Sequence, residues 1–71
     1  MKYQTKRGAG VIFIKSVWSG KYFIAVTFPS QSAHPYERVF APFKGMTFYD
    51  LASAEKALQD YANEHGLQEV F

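Results

Sequence analysis

The chain has 71 residues, which is the size of one small domain whose core supplies only about 3–5 kcal/mol of stability. It contains no cysteine, which excludes disulfide bonds and any site built on a thiolate. Its N-terminal apolar run, residues 10–14, is interrupted by Lys15 and is too short for a signal peptide or a membrane span. We therefore expect a single cytoplasmic domain.

Charge and hydrophobic periodicity change together near residue 46. Residues 1–45 carry seven Lys and Arg against one Glu, a net charge of +6, and their apolar side chains alternate with period two. Residues 46–71 carry one Lys against five Asp and Glu, a net charge of −4, and their apolar side chains repeat with the period of a helix. The sequence therefore predicts a basic sheet backed by an acidic helix, with the sheet side facing an acidic partner.

The first elements in chain order are an arm and a hairpin. Residues 1–9 are polar and basic, and glycines interrupt them before the first strand, so we expect a flexible arm outside a domain that spans residues 10–71. Residues 10–17 and 22–28 are rich in Val, Ile, Phe and Tyr. They flank a short turn segment and predict a β-hairpin.

The length of the hairpin loop decides which side chains face inward. A three-residue loop with Gly20 in the left-handed conformation pairs Val17 with Lys21. A two-residue turn at Ser19 and Gly20 would instead place Lys15 among the inward apolar side chains, and burying that charge is costly. The favoured inner face is Ile12, Ile14, Ser16, Tyr22, Ile24, Val26 and Phe28, and the outer face is Val11, Phe13, Lys15, Val17, Lys21, Phe23, Ala25 and Thr27.

A long loop and a third strand follow the hairpin. Residues 29–37 contain two prolines and a Ser-Gln-Ser run, which favour an irregular connection. Residues 38–43 predict a third strand, and Pro42 marks either an edge or the end of that strand.

The last third of the chain predicts one amphipathic helix. Leu51, Ala54, Leu58, Tyr61 and Ala62 form one helical stripe, which we expect to pack on the inner face of the sheet. The helix can begin at Thr47, Asp50 or Ser53, and it ends at Gly66. Residues 67–71 are compatible with a short fourth strand at the C-terminus. The expected fold class is α+β: a three-stranded antiparallel sheet packed on one face by a single helix in the C-terminal half, in the order β-β-β-α.

The outer face of the hairpin holds the first candidate contact residues. Phe13, Lys15, Lys21 and Phe23 combine aromatic rings with lysines, the combination that a sheet needs to stack bases and neutralise phosphates. The same apolar strip is also typical of an interface with another protein or with a second copy of the chain, or of a surface covered by the basic arm or the terminal strand of the same chain.

Further candidates lie outside the hairpin. Lys6 and Arg7 in the arm could grip phosphates, and His34 and Tyr36 are candidate contact residues at the tip of the long loop.

No pattern in the sequence indicates catalysis, a metal or a cofactor. The two histidines have no Cys partner, and no serine lies in a nucleophile motif. Asp60, Glu64 and His65 share an outer helix turn but are typical of a solvated face. We therefore expect neither an enzyme nor a cofactor.

The order of elements over residues 10–65 resembles the three-stranded DNA-binding sheets of integrase arm-binding domains and of a plant transcription-factor domain. The regular Arg and Trp pattern by which those sheets read DNA is absent. Lys15 and Lys21 take the place of arginines, and Trp18 lies at the hairpin tip.

Two functions remain open at this point. The first is a non-catalytic binding module whose basic, aromatic sheet face docks on nucleic acid or on a nucleic-acid-handling protein. The second is a small protein–protein inhibitor or adaptor of the phage or mobile-element type, which would use the same face or the acidic helix as a phosphate mimic. In either case the open apolar face favours a homodimer, and no membrane partner is expected.

Overall fold

The computed structural model describes residues 1–17, 20–28 and 37–70. Its elements are β1 (Lys2–Gln4), β2 (Val11–Val17), β3 (Lys21–Thr27), β4 (Glu37–Val39), a 3₁₀ helix (Ala41–Phe43) and α1 (Leu51–His65). The strands form one antiparallel sheet in the order β1-β2-β3-β4, and α1 packs on one face of it. The expected α+β class, with a single helix in the C-terminal half, is confirmed. No helix in this described part of the chain has the length and apolar character needed to cross a membrane.

The hairpin adopts the register that the sequence favours. Val17 pairs with Lys21 and Lys15 pairs with Phe23, so the loop between β2 and β3 has three residues. Gly20 has a φ of 71°, a left-handed conformation that glycine adopts without steric cost. Trp18 lies outside the described residues.

The N-terminal arm is corrected by the structure, because residues 2–4 form strand β1 and belong to the domain. Tyr3 lies opposite Ile12 and is only 7% exposed. Its burial, together with the Glu69 carboxylate, raises the pKa of the Tyr3 phenol. A three-residue strand is too short for its alternating pattern to stand out in a basic, polar segment.

The C-terminal segment completes the other edge of β1. The Gln4 amide donates to the Gln68 carbonyl at 2.8 Å, and the Val70 amide donates to the Lys2 carbonyl at 2.8 Å. Tyr3 and Glu69 form an antiparallel bridge. The C-terminal strand that residues 67–71 suggested is therefore present, among the residues described, as one isolated β-bridge to β1.

The third predicted strand is shorter than residues 38–43. It runs from Glu37 to Val39, and the next residues turn into a 3₁₀ helix that contains Pro42 in its first turn. Because proline has no N–H to donate to a neighbouring strand, it ends the pairing with β3. The turn brings Phe43 into the core, where it is buried.

The core lies between the inner face of the sheet and one stripe of α1. Ile12, Ile24 and Leu58 are fully buried, and the small residues Ala54 and Ala62 lie one helical turn to either side of Leu58. The predicted stripe is correct except at Leu51, which is 46% exposed. Helical side chains lean toward the N-terminus, so the side chain of this first helical residue points past the part of α1 that packs on the sheet.

The ends of α1 are closed by specific hydrogen bonds. Of the three possible starts, the structure selects Asp50 as the N-cap: its Oδ1 accepts from the Ser53 amide and its Oδ2 from the Ser53 hydroxyl, both at 2.8 Å. These two bonds lower the pKa of the Asp50 carboxyl. At the other end Gly66 is left-handed, and the Leu67 amide donates to the Ala62 carbonyl at 2.9 Å.

We predict that Leu58→Ala costs about 2–5 kcal/mol and leaves the domain largely unfolded, because so small a core has little more stability than that. Leu51→Ala is the matched control: it removes the same atoms from the same helix at an exposed site and should melt close to the parent. Chemical denaturation followed by circular dichroism measures both. Equal losses in the two variants would contradict the described packing of α1.

We predict that Asp50→Ala lowers the melting temperature at neutral pH, and that Asp50→Asn, which keeps one oxygen acceptor but not the charge, lowers it less. Because the folded state lowers the pKa of Asp50, the carboxylate stabilises the fold above its ordinary value of 3.8. That contribution is lost as the pH falls through the lower folded-state pKa. Melts over a pH series test this, and a difference between parent and Asp50→Ala that does not shrink in acid would contradict it.

Candidate binding surfaces

The face of the sheet opposite α1, called the outer face below, carries alternate residues of all four strands. Residues that lie directly opposite on neighbouring antiparallel strands share a face, so the register shows which residues belong to the outer face. They are Lys2 and Gln4 from β1, Val11, Phe13, Lys15 and Val17 from β2, Lys21, Phe23, Ala25 and Thr27 from β3, and Glu37 and Val39 from β4. In the described part of the chain, no helix or strand packs over this face.

Apolar side chains occupy the centre of the outer face. Ala25 lies between its direct cross-strand neighbours Phe13 and Val39, and it is fully buried. Phe13 and Phe23 are half-buried, and Val39 is 41% exposed. The face is therefore a closely packed apolar strip with aromatic rings at its surface.

Each of the two rings has a lysine as its direct cross-strand neighbour. Lys2 lies opposite Phe13, and Lys15 lies opposite Phe23. Phe13 and Phe23 are themselves diagonal neighbours on β2 and β3, at a typical spacing of about 7–8 Å. The structure thus brings Phe13, Lys15, Lys21 and Phe23 onto one face, as the sequence predicts, and it adds Lys2.

One of these lysines has an acidic partner on the same face. The Lys15 ammonium forms an ion pair with the Glu37 carboxylate, and the two side chains remain 42% and 40% exposed. Such a half-exposed pair adds little to stability, but it neutralises part of the positive charge of Lys15. Among the described residues, Lys2 and Lys21 form no ion pair.

Lys6 and Arg7 do not lie on the outer face. They belong to the turn between β1 and β2 and line a cavity of about 410 Å³ on the helix side of the sheet. The other lining residues are Thr5, Ala9, Ile12, Phe28, Phe40, Tyr61, His65 and Leu67. The predicted contact residues are therefore divided between two surfaces, and His34 and Tyr36 lie outside the described residues.

The exposed side of α1 is acidic, as its composition predicts. Asp60 and Glu64 are exposed there, and the Lys56 ammonium lies 3.3 Å from the Asp60 carboxylate. In the part of the chain that the structure describes, no three His, Cys, Asp or Glu side chains converge on a point where a metal ion could bind.

Comparison of the chain with models of protein families, with curated proteins and with solved structures finds no match.

Proposed function

We propose that the protein is a non-catalytic binding module whose outer face docks on single-stranded nucleic acid. The observation that carries this proposal is the pairing of each half-buried ring with a lysine: Lys2 beside Phe13 and Lys15 beside Phe23. Proteins that bind single strands without sequence preference use this combination, in which bases stack on rings and cations follow the phosphates.

The sheet geometry suits an extended strand. Phe13 and Phe23 are diagonal neighbours, so each ring can receive one of two successive bases. Lys21 lies opposite Val17, at the hairpin end of the same face, and extends the row of cations beyond Phe23. A base that stacks on Phe23 therefore lies next to two lysines, Lys15 across the sheet and Lys21 along β3.

The charge distribution orients the ligand toward this face. The outer face carries three lysines and one glutamate, a net charge of +2, whereas the exposed side of α1 carries Asp60 and Glu64. A polyanion is attracted to the lysines of the sheet and repelled by Asp60 and Glu64 of the helix. The polarity thus favours an acidic partner on the sheet side over docking through α1.

The competing partner for this face is a protein, either a target that the domain inhibits or a second copy of the chain. An exposed apolar strip with Val39 at its edge is compatible with both. The lysine beside each ring favours nucleic acid, because charged residues are depleted at the centres of protein interfaces.

We predict that Lys2→Glu with Lys21→Glu abolishes binding to a random single-stranded oligonucleotide. Lys44→Glu with Lys56→Glu makes the same change in net charge at exposed residues outside the outer face and should leave binding nearly intact. A gel shift over a series of salt concentrations measures both, and the slope of log affinity against log salt should fall by about 0.7 for each lost phosphate contact.

Three results would contradict the proposal. One is equal loss of binding in the two double variants, which would indicate an effect of net charge alone. Another is a preference for double-stranded DNA, which would remove the stacking argument. The third is no shift at micromolar protein together with a dimer mass by light scattering, which would assign the outer face to a protein interface.

We predict that Glu37→Gln strengthens binding to the same oligonucleotide and steepens its salt dependence. The substitution removes the only acidic side chain on the described outer face and releases Lys15 from its ion pair. Glu55→Gln, on the helix, removes the same charge elsewhere and serves as the control. Unchanged affinity in Glu37→Gln would show that the ligand does not contact the Lys15 side of the face.

A further inference from the structure

The second surface is the cavity on the helix side of the sheet, where the β1–β2 turn approaches the C-terminal end of α1. At about 410 Å³ it falls in the range of small-molecule sites, roughly 300–1,000 Å³. The cavity is separate from the outer face, because its walls include residues of the core and residues packed against it, on the helix side of the sheet. These are Ile12, Tyr61 and Leu67.

The walls of the cavity are aromatic and aliphatic. Phe40 and Tyr61 meet edge to face, with ring centroids 5.5 Å apart and planes at 90°. Phe43 lies behind both rings, 6.2 Å from Phe40 and 5.4 Å from Tyr61. Because these contacts hold the rings in place, the walls are preformed and do not need to be ordered by a ligand.

The cationic side of the cavity is built on a turn that is held by hydrogen bonds. The Thr5 amide donates to the Gly10 carbonyl at 2.9 Å, and the Gly10 amide donates to the Thr5 hydroxyl at 3.0 Å. The Gly8 amide donates to the Thr5 carbonyl at 2.8 Å, and the Gln4 side-chain amide donates to the Gly8 carbonyl at 3.1 Å. These bonds fix the backbone that carries Lys6 and Arg7 at the mouth of the cavity.

Gly10 places this turn against the aromatic wall. It is buried, and a Cβ built on it would lie 2.7 Å from the Phe28 ring and 2.9 Å from the Thr5 methyl carbon. Only glycine permits this approach, so the turn and Phe28 form one continuous side of the cavity. On the other side, the His65 ring lies 4.1 Å from the Tyr61 ring, which holds it at the rim.

The charged side chains that line the cavity are of one sign. Lys6 and Arg7 are both cationic, and none of the described lining residues is acidic. Arg38 adds a further cation nearby, with its guanidinium carbon 5.8 Å from the centroid of the Phe28 ring. An apolar interior with basic groups at the mouth is complementary to a molecule that has a ring at one end and an anion at the other.

We propose that this cavity binds a small organic anion that consists of an aromatic body and one carboxylate. The ring enters between Phe28, Phe40 and Tyr61, and the carboxylate stays at the mouth. There the Arg7 guanidinium can donate two parallel hydrogen bonds to the carboxylate, and Lys6 adds a second cation. This site does not depend on the outer face or on nucleic-acid binding.

The test uses indole-3-acetate as the probe, with amide signals of the isotope-labelled protein followed by NMR. We expect saturable shifts at Arg7, Ala9, Tyr61 and His65, with the signals of Phe13 and Phe23 on the outer face unchanged. Two control compounds separate the contributions: indole-3-acetamide keeps the ring without the charge, and acetate keeps the charge without the ring. Both should bind at least tenfold more weakly.

Lys6→Gln with Arg7→Gln should weaken indole-3-acetate binding about tenfold, whereas Lys44→Gln with Lys56→Gln, an equal change in charge away from the cavity, should leave it unchanged. Both pairs are exposed, so the spectra should remain those of the folded protein. The Lys6/Arg7 variant should keep its oligonucleotide gel shift, which separates failure at this site from failure at the outer face. Absence of saturable shifts at millimolar probe, equal binding of the amide, or full affinity in the Lys6/Arg7 variant would each overturn the proposal.

Discussion

The packing of one helix against one face of a four-stranded sheet is the constraint on which the rest of this structure depends. Leu58 of α1 is fully buried against the strands. One helical turn before and after Leu58, the small side chains of Ala54 and Ala62 allow α1 to approach the sheet closely. A helix of 15 residues is about 22 Å long and covers a single face. Because α1 is the single α-helix in the part of the chain that the structure describes, no helical layer from that part covers the second face.

The same packing accounts for the cavity at the other surface. Where alanines face the sheet, helix and strands are in contact, but at the C-terminal end of α1 the large rings of Phe40 and Tyr61 meet edge to face. Rings packed in this way leave space between them and the β1–β2 turn, and the close approach at Gly10 closes one side of that space. The two candidate surfaces thus arise from one arrangement, on opposite sides of the sheet.

The positive charge of the first 45 residues is divided between these two surfaces. Lys2, Lys15 and Lys21 lie on the outer face, whereas Lys6 and Arg7 lie at the mouth of the cavity. Strand β1 and the turn after it produce this division. Lys2 of β1 lies on the outer face, and the turn places Lys6 and Arg7 on the helix side. The basic half of the chain is therefore not one uniform binding surface.

The sequence by itself determined the fold class and, apart from Leu51, the helical stripe, and it favoured the observed hairpin register over one alternative. Each of these follows from local periodicity, from the cost of burying Lys15 and from the conformational freedom of Gly20. In that register Phe13 and Lys15 share a face with Lys21 and Phe23, because residues two apart on one strand and residues directly opposite on the next strand lie on the same side of the sheet.

Tertiary structure alone decided which distant segments meet. Strand β1, formed by Lys2–Gln4, and the Lys15–Glu37 ion pair depend on pairings between residues that are far apart in the chain. The exposure of Leu51 depends on where the helix ends relative to the sheet. The cavity is the clearest case, since its lining comes from residues 5 to 67. No local pattern encodes it, because a cavity is the space that remains after all the elements have packed.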